Sequence, residues 1–305
     1  MLSTQALMPG RRLAPLGTAP KQFTFAFGDL YLRGRIPQGR DHFELVPERR
    51  LAAVTDRGCV HTTNQDDVRV RSTTIDAFRL TIMVVCDGVS SGANAEQASS
   101  VGSTVASDYL LKNLRLGGEP REAMRGAILA ADAAVRDIPY GAGSKQRPVN
   151  PPGATIVAAT TMRRRLIVGW IGDSRCYLVE PTGVRLLTHD HSWVNHVVEN
   201  GLMSEEEALK RPEAHQISRC IGPLHGDRKY DIPEPSIAGY HLPETGKVLL
   251  CTDGLWNYLP NIEKLRSLIQ FGPDAPDTLT QARSLVDYAI KQGGKDNITA
   301  ALLTI

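Results

Sequence analysis

The stretch ATIVAATTMRRRLIVGWIGDSRCYLVEPTGVRLLT, residues 154–188, holds four short apolar segments with little chain between them. The segments ATIVAATTM, RLIVGWIG, CYLVE and VRLLT have the length and the β-branched content of strands, and turn residues such as Pro181-Thr182-Gly183 separate them. Strands joined by such short turns pair with their neighbours in an antiparallel way. The stretch therefore predicts antiparallel sheet.

Helical patterns lie on either side of this stretch and come in pairs. Small and apolar residues recur at helical spacing over 93–113 and 120–138, and again over 261–270 and 276–291. Residues 192–211 also look helical, whereas 212–246 are rich in loop residues. Further strands are predicted at LAAVT, DVRVRS, LTIMVVC, KVLLCT and NITAALLTI. This order lacks the regular strand–helix alternation of a parallel sheet and favours an α+β fold, with helices layered on antiparallel sheets.

The pattern also divides the chain into two parts. Residues 1–47 are rich in Pro, Gly and Arg with weak periodicity, and we expect a loosely ordered extension there. Residues 48–305 are expected to form one domain, with neither an internal repeat nor a low-complexity tract.

Composition and charge narrow the class of protein. The 305 residues are 42% hydrophobic and 22% charged, which is typical of a globular protein with a sizeable core. The net charge of +2 is too small to indicate nucleic acid as a partner. No apolar run approaches the ~18 residues of a membrane span, and no export signal is recognisable. Five cysteines without metal-type spacing indicate reduced thiols and a cytoplasmic location.

Four acidic motifs carry the functional signal. They are Asn64-Gln65-Asp66-Asp67, Asp87-Gly88, Asp253-Gly254 and Asp296-Asn297. VVC precedes Asp87, VLLCT precedes Asp253 and GGK precedes Asp296, so strand ends or glycine-rich turns deliver the carboxylates. Carboxylates that meet at one point suit hard divalent ions such as Mg²⁺ or Mn²⁺. Water bound as hydroxide between two such ions hydrolyses phosphate esters without a Ser or Cys nucleophile.

The motifs occur in an order that resembles a known family. The set is TDRGCVHTTNQDD, VVCDGVSSGANAEQAS, GATIVAA, VGWIGDSRCYLV, LTHDHSWV, HQISRCIG, VLLCTDGLWNYL and GGKDNITAALL. It is similar to the PP2C-type, metal-dependent serine/threonine protein phosphatases, particularly their bacterial branch, from about Thr55 to Ile305. The resemblance implies a four-layer αββα sandwich, in which two mainly antiparallel sheets are flanked by helix pairs and metals lie in a cleft at one end.

The resemblance also implies roles for individual residues. Asp87 would bridge two Mn²⁺ or Mg²⁺ ions, and the Gly88 carbonyl would hold one of them. Asp253 and Asp296 would complete the shell of the other ion. Asp173 lies where bacterial members bind a third, weaker metal.

Three positions depart from the family pattern. Gln65 stands where relatives carry a glutamate that helps to ligate a metal. Asp66 matches a family aspartate that orients metal-bound water. His61, five residues before Asp66, stands where the family usually has a phosphate-binding arginine. His61 is expected either to contact phosphate or to be a surface residue. The loop Val89-Ser90-Ser91-Gly92 replaces a Gly-Gly-His turn.

Three functions follow from these observations. The first is a protein phosphatase that acts on phosphoserine and phosphothreonine, with phosphorylated proteins as substrates and a serine/threonine kinase as its opponent. The second is a weakly active or inactive pseudophosphatase that binds phosphoproteins or a kinase. The third is a hydrolase of small phosphorylated metabolites. We expect a monomer that acts without a membrane or nucleic acid.

Overall fold

Two antiparallel sheets pack face to face in a computed structural model, which describes residues 42–141, 143–144, 147–223, 234–259 and 261–305. The first sheet has the strand order β1-β2-β13-β12-β9-β10, and the second has the order β11-β8-β7-β4-β3. The strands are β1 His42–Glu48, β2 Leu51–Asp56, β3 Asp66–Ile75, β4 Phe78–Asp87, β5 Gly143–Ser144, β6 Arg147–Pro148, β7 Ile156–Met162, β8 Arg165–Ile171, β9 Arg175–Glu180, β10 Gly183–Leu186, β11 Ser236–His241, β12 Lys247–Cys251 and β13 Ile298–Thr304.

The helices are α1 Ala95–Arg115, α2 Pro120–Arg136, α3 Trp193–Glu199, α4 Glu205–Leu209, α5 Asp253–Trp256, α6 Ile262–Leu268 and α7 Thr278–Lys291, with a 3-10 turn at Pro212–His215. Helices α1 and α2 pack on the outer face of the second sheet, α6 and α7 pack on the outer face of the first, and α3 and α4 pack on each other. None of the helices in the described ranges has both the length and the apolar character needed to cross a bilayer.

Strand β4 shows how one sequence serves two cores. Its run LTIMVVC is buried on both faces, because successive strand side chains point to opposite sides. Ile82 and Val84 pack towards α1 and α2. Met83 and Val85 pack between the two sheets. A continuous apolar run, rather than an alternating one, is what a central strand inside a layered fold requires.

A third core lies between the first sheet and α7. Val54 of β2 and Leu249 of β12 pack there with Leu285 and Val286 of the helix. The order of layers is therefore helices α1 and α2, two sheets, and helices α6 and α7. The predicted α+β class and the four-layer sandwich of two antiparallel sheets are confirmed.

Several segments differ from the sequence-based expectation. The boundary expected at residue 48 falls inside β1, where Phe43 and Leu45 pack on the core between the sheets. Every residue of this edge strand is only half-buried, so its alternation is weak. The helix expected over 192–211 is two short helices separated at Gly201, whose φ is +65°. Strand β11 lies in the stretch expected to be loop. Residues 1–41 of the predicted extension lie outside the described residues.

Candidate metal centre

The first two acidic motifs meet across the β3–β4 hairpin. Asp66 opens β3 and Asp87 ends β4, and the two residues are direct partners in the antiparallel register. The Gly88 N–H then donates to the Gln65 carbonyl at 3.0 Å. A Cβ on Gly88 would lie 2.4 Å from the Ala95 carbonyl oxygen, so the chain needs glycine here to approach helix α1. The hairpin therefore fixes Asp66 and Asp87 side by side.

The other two motifs meet through a second close approach. A Cβ on Gly254 would lie 1.9 Å from the Asn297 carbonyl oxygen and 3.4 Å from the Asp296 Cβ. The Asn297 side chain joins this pair to the first one. Its Nδ2 donates to the carbonyls of Arg57 and Thr63, and its Oδ1 accepts from the Gln65 N–H at 2.8 Å. Asp253 and Asp296 thus face the β3–β4 end.

Burial and mutual repulsion raise the pKa values of Asp66, Asp87, Asp173 and Asp253. Burial raises the pKa of Asp66 to about 8, and the charges of Asp253 and Asp296 add to the effect. The pKa of Asp87 rises well above its usual value, first through burial and then through its acidic neighbours. Burial and the Asp253 charge raise the pKa of Asp173 to about 7. Burial and the Asp296 charge raise that of Asp253 to about 6. Five predicted site residues therefore interact electrostatically, and together they form the acidic cluster: Asp66, Asp87, Asp173, Asp253 and Asp296.

A relay of hydroxyl groups holds Asp66, and the sequence patterns did not reveal it. The hydroxyls of Thr252 and Thr299 donate to Asp66 Oδ2 at 2.9 Å and 2.7 Å. Thr299 is also 2.8 Å from Thr55 Oγ1, which accepts from Asn64 Nδ2. Thr252 is the last residue of the VLLCT run and Thr299 lies in NITAALLTI, so both were visible only as strand residues. These donors fix one carboxylate oxygen and leave the other free.

The unsatisfied atoms agree with the chemistry of a divalent cation. Asp66 Oδ1 and Asp253 Oδ1 are buried and have no hydrogen-bond partner. A buried orphan carboxylate oxygen is costly unless a cation or a donor reaches it. Among the described residues, no three His, Cys, Asp or Glu side chains are arranged so as to hold a metal by themselves. Water would have to complete the shell, as is usual for Mg²⁺, so the residues fit such an ion.

Asp173 enters the cluster from the loop between β8 and β9. Its charge interacts with that of Asp253, and Trp256 Nε1 donates to its backbone carbonyl at 3.0 Å. The Trp256 ring lies 3.6 Å from the Arg175 guanidinium, which is held by Asp190 at 2.6 Å. One face of Trp256 is therefore occupied, and the ring anchors the Asp173 loop.

The three departures from the family pattern also lie at this end. His61 Nε2 is 3.2 Å from Asp296 Oδ1, and its side chain is 30% exposed, so His61 faces the cluster rather than bulk solvent alone. Gln65 Oε1 accepts from Ser90 Oγ at 2.7 Å. The neutral amide of Gln65 is thus hydrogen-bonded to the loop Val89-Ser90-Ser91-Gly92, which differs from the family pattern.

One member of the first motif belongs elsewhere. Asp67 points to the opposite face of β3 from Asp66, where it accepts from the Ser103 hydroxyl and pairs with Arg69 at 3.3 Å. Ser103 is on α1. Asp67 therefore ties strand to helix and takes no part in the acidic cluster.

Two antiparallel sheets between helix layers, with acidic residues from distant segments at one end, define the class of PP2C-fold phosphatases. Residues 79–298 match the family model of protein phosphatase 2C, so the chain belongs to that family. The suspected family and the expectation of an enzyme are confirmed.

Relatives and solved structures agree with this assignment. Serine/threonine phosphatase stp of Listeria welshimeri is 28% identical over 254 residues, 82% of this chain and 93% of the relative. The S. agalactiae serine/threonine phosphatase has a TM-score of 0.64 at 25% identity, over 83% of this chain and 98% of that one. The catalytic domain of PstP, solved with two manganese ions, has a TM-score of 0.62 at 26% identity, over 84% and 98%.

Proposed function

We propose that the protein is a metal-dependent phosphatase that hydrolyses phosphoserine and phosphothreonine in other proteins. The observation that carries the proposal is the pair of buried, unpartnered oxygens, Asp66 Oδ1 and Asp253 Oδ1, inside a cluster of carboxyl groups. Such a cluster costs stability unless divalent cations neutralise it. A relative's catalytic domain holds two manganese ions, which supports Mn²⁺ or Mg²⁺ as the cofactor here.

Different residues of the chain would hold different ions. Asp87, at the end of β4, would hold two of them, with the Gly88 carbonyl and Gln65 beside it. Asp253 and Asp296 would complete one shell, and Asp173 would hold a third, weaker ion. When bound, the ions supply an activated water and neutralise the oxygen that leaves.

Asp66 has a different task in this proposal. Its Oδ2 is fixed by Thr252 and Thr299, so only Oδ1 faces the cluster. A carboxylate held in this way can accept a proton from a water molecule and orient it. His61 lies against Asp296 at 3.2 Å and would contact phosphate oxygens when protonated. A single imidazole donor lacks the fork of an arginine, so phosphate is held more weakly than by arginine.

The activity test uses p-nitrophenyl phosphate and a phosphothreonine peptide, each with and without Mn²⁺. We expect turnover that needs the metal and is lost in Asp253→Asn, while Asp76→Asn, in the exposed β3–β4 turn, leaves it unchanged. Nucleoside and sugar phosphates in the same panel test the metabolite-hydrolase alternative. No turnover with any divalent metal would overturn the proposal.

A second candidate function rests on one contact. Because Gln65 is neutral and bonded to Ser90, the site has one carboxylate fewer than the family pattern provides. A pseudophosphatase would bind a phosphopeptide or a kinase without turnover. This function would be favoured if the protein binds a phosphopeptide but shows no phosphatase activity when Mn²⁺ is added. The monomeric state, the opposing kinase and the cytoplasmic location stay predictions.

A further inference from the structure

A second charged site lies at the other end of the first sheet. Strand β12 begins at Lys247 and leads to Asp253, so the two ends are about 20 Å apart at ~3.3 Å per residue. Beside Lys247 is a cavity of about 260 Å³, bordered by Arg49, Arg50 and the start of helix α7. Nothing in the acidic cluster accounts for this group of cations.

Lys247 is a buried amine without a counter-charge. Only 4% of the residue is exposed. Its Nζ donates to Thr304 Oγ1 at 2.9 Å and lies 5.7 Å from the centre of the Phe271 ring. Within the described part of the chain it has no ion-pair partner. Burial lowers the pKa of Lys247. An ammonium group in this position is stabilised by an anion that enters the cavity.

The rest of the lining strengthens the positive potential. Arg49 and Arg50 are exposed at the rim and can reach a ligand with planar, two-pronged donors. Thr278 Oγ1 lies 3.0 Å from Thr304 Oγ1, which extends the line of hydroxyls from Lys247 to the first turn of α7.

One acidic side chain offsets these cations, in a lining that also includes Ile305. Asp277 lines the cavity, but its Oδ1 accepts from the Thr280 N–H at 2.7 Å and caps helix α7, and its charge interacts with Arg283 and Arg49. Among the side chains that line the cavity, three cations therefore face one acid, which is already engaged at a helix end.

We propose that this cavity binds a small oxyanion of the phosphate type, through Lys247, Arg50 and the hydroxyl of Thr304. The volume is below the ~300–1,000 Å³ of pockets that hold larger ligands, which favours a compact anion. Free phosphate and the phosphate group of a small monoester share this chemistry. The site is separate from the acidic cluster, so it does not depend on the proposed catalytic function.

The test uses metal-free protein in chelator, where the unneutralised acidic cluster repels anions. Wild type, Lys247→Met and Arg50→Gln are titrated with inorganic phosphate and, in a second arm, with glycerol phosphate. Thermal unfolding and calorimetry report binding, and sodium chloride at equal ionic strength is the salt control. Lys210→Met removes an exposed lysine of the same charge from the end of α4 and serves as the matched variant.

We expect phosphate to raise the melting temperature of wild type and of Lys210→Met. Loss of one charged donor should weaken binding by about tenfold in Lys247→Met and in Arg50→Gln. Tighter binding of inorganic phosphate would identify free phosphate as the ligand, and tighter binding of glycerol phosphate would identify a small phosphate monoester. The proposal is overturned if phosphate does not shift the wild type beyond the chloride control, or if both variants respond as the wild type does.

Discussion

At the scale of single residues, the acidic cluster is defined as much by its neutral neighbours as by its carboxylates. The sequence indicated Thr252 and Thr299 only as strand residues, and Asn297 only as the neighbour of Asp296 in its motif. Their roles depend on contacts across the sheet, such as the Thr299 N–H that donates to Thr252 Oγ1 across 47 residues of chain. Local patterns predicted Asp87, Asp253 and Asp296 because each of these residues follows a strand or a glycine turn. They could not predict which hydroxyls those carboxylates would meet.

The first prediction concerns Gln65. Replacing Gln65 by Glu adds a carboxylate beside Asp87 and keeps an oxygen that can accept from Ser90. We expect Mn²⁺ affinity to rise by about tenfold, which corresponds to ~1.4 kcal/mol, in a calorimetric titration. Gln65→Ala is the control and should not gain affinity. Equal affinity in Gln65→Glu and wild type would place residue 65 outside the ligand set.

The second prediction concerns Thr299. Thr299→Val keeps the shape of the side chain but removes a donor to Asp66 Oδ2. Because the carboxylate is buried, the loss should lower the free energy of unfolding by about 1–3 kcal/mol in chemical denaturation. Thr74→Val, at an exposed position of β3, should change it by less than ~0.5 kcal/mol. Similar effects at both positions would contradict the assigned role of Thr299.

At the scale of elements, the strands were predicted best where both faces are buried. LTIMVVC and KVLLCT belong to central strands, and their short, β-branched apolar runs are typical of buried strands. In the two large sheets, the strands that escaped prediction are β1 and β11, which lie at sheet edges and are only partly buried, so they accept Pro47 and Gly239. An edge strand is stabilised by hydrogen bonds to its neighbouring strand. A local sequence pattern carries no information about that neighbour.

The third prediction tests the approach of α5 to the turn at residues 296–297. Gly254→Ala places a methyl group 1.9 Å from the Asn297 carbonyl oxygen, so the backbone must move. We expect a loss of about 1–3 kcal/mol or more in the free energy of unfolding, together with weaker Mn²⁺ binding. Gly183→Ala, which meets no atom within 4 Å, should change neither quantity. Normal stability of Gly254→Ala would show that this approach is not needed.

The fourth prediction is a pH dependence at the loop that follows β10. The Gly172 N–H donates to His191 Nδ1 at 3.1 Å, so the ring is neutral, and it stacks on Trp170. Burial, with the charges of Arg219 and His189, lowers the pKa of His191 to about 4. The folded state therefore disfavours the protonated ring, and this stability is present above pH ~6.5 and lost as the pH falls towards 4.

His191→Asn keeps an acceptor for the Gly172 N–H but does not titrate. Denaturation at pH 7 and at pH 4.5 should show that wild type loses roughly 1–2 kcal/mol more than the variant, after discounting for partial exposure. His196→Asn, on α3, controls for the removal of a histidine. An equal loss in wild type and His191→Asn would contradict the proposed protonation.

At the scale of the whole molecule, the sandwich separates two opposite charge environments. One end gathers carboxyl groups whose pKa values are raised by burial, and the other gathers Lys247, Arg49 and Arg50 around a cavity. The small net charge of +2 conceals this separation. The order of motifs predicted the acidic end, because each motif contains aspartate. The basic end was not predicted, since the β1–β2 turn, which carries Arg49 and Arg50, meets Lys247 of β12 only after folding.

The most direct test of the metal centre is a calorimetric titration of chelator-treated protein with Mn²⁺, on wild type and on Asp87→Asn. The variant should fold, because it removes one of several carboxyl groups that repel each other. We predict saturable binding of two ions by wild type, as in the solved PstP catalytic domain, and loss of that binding in Asp87→Asn. Absence of saturable Mn²⁺ binding by wild type, or unchanged binding by Asp87→Asn, would contradict the account.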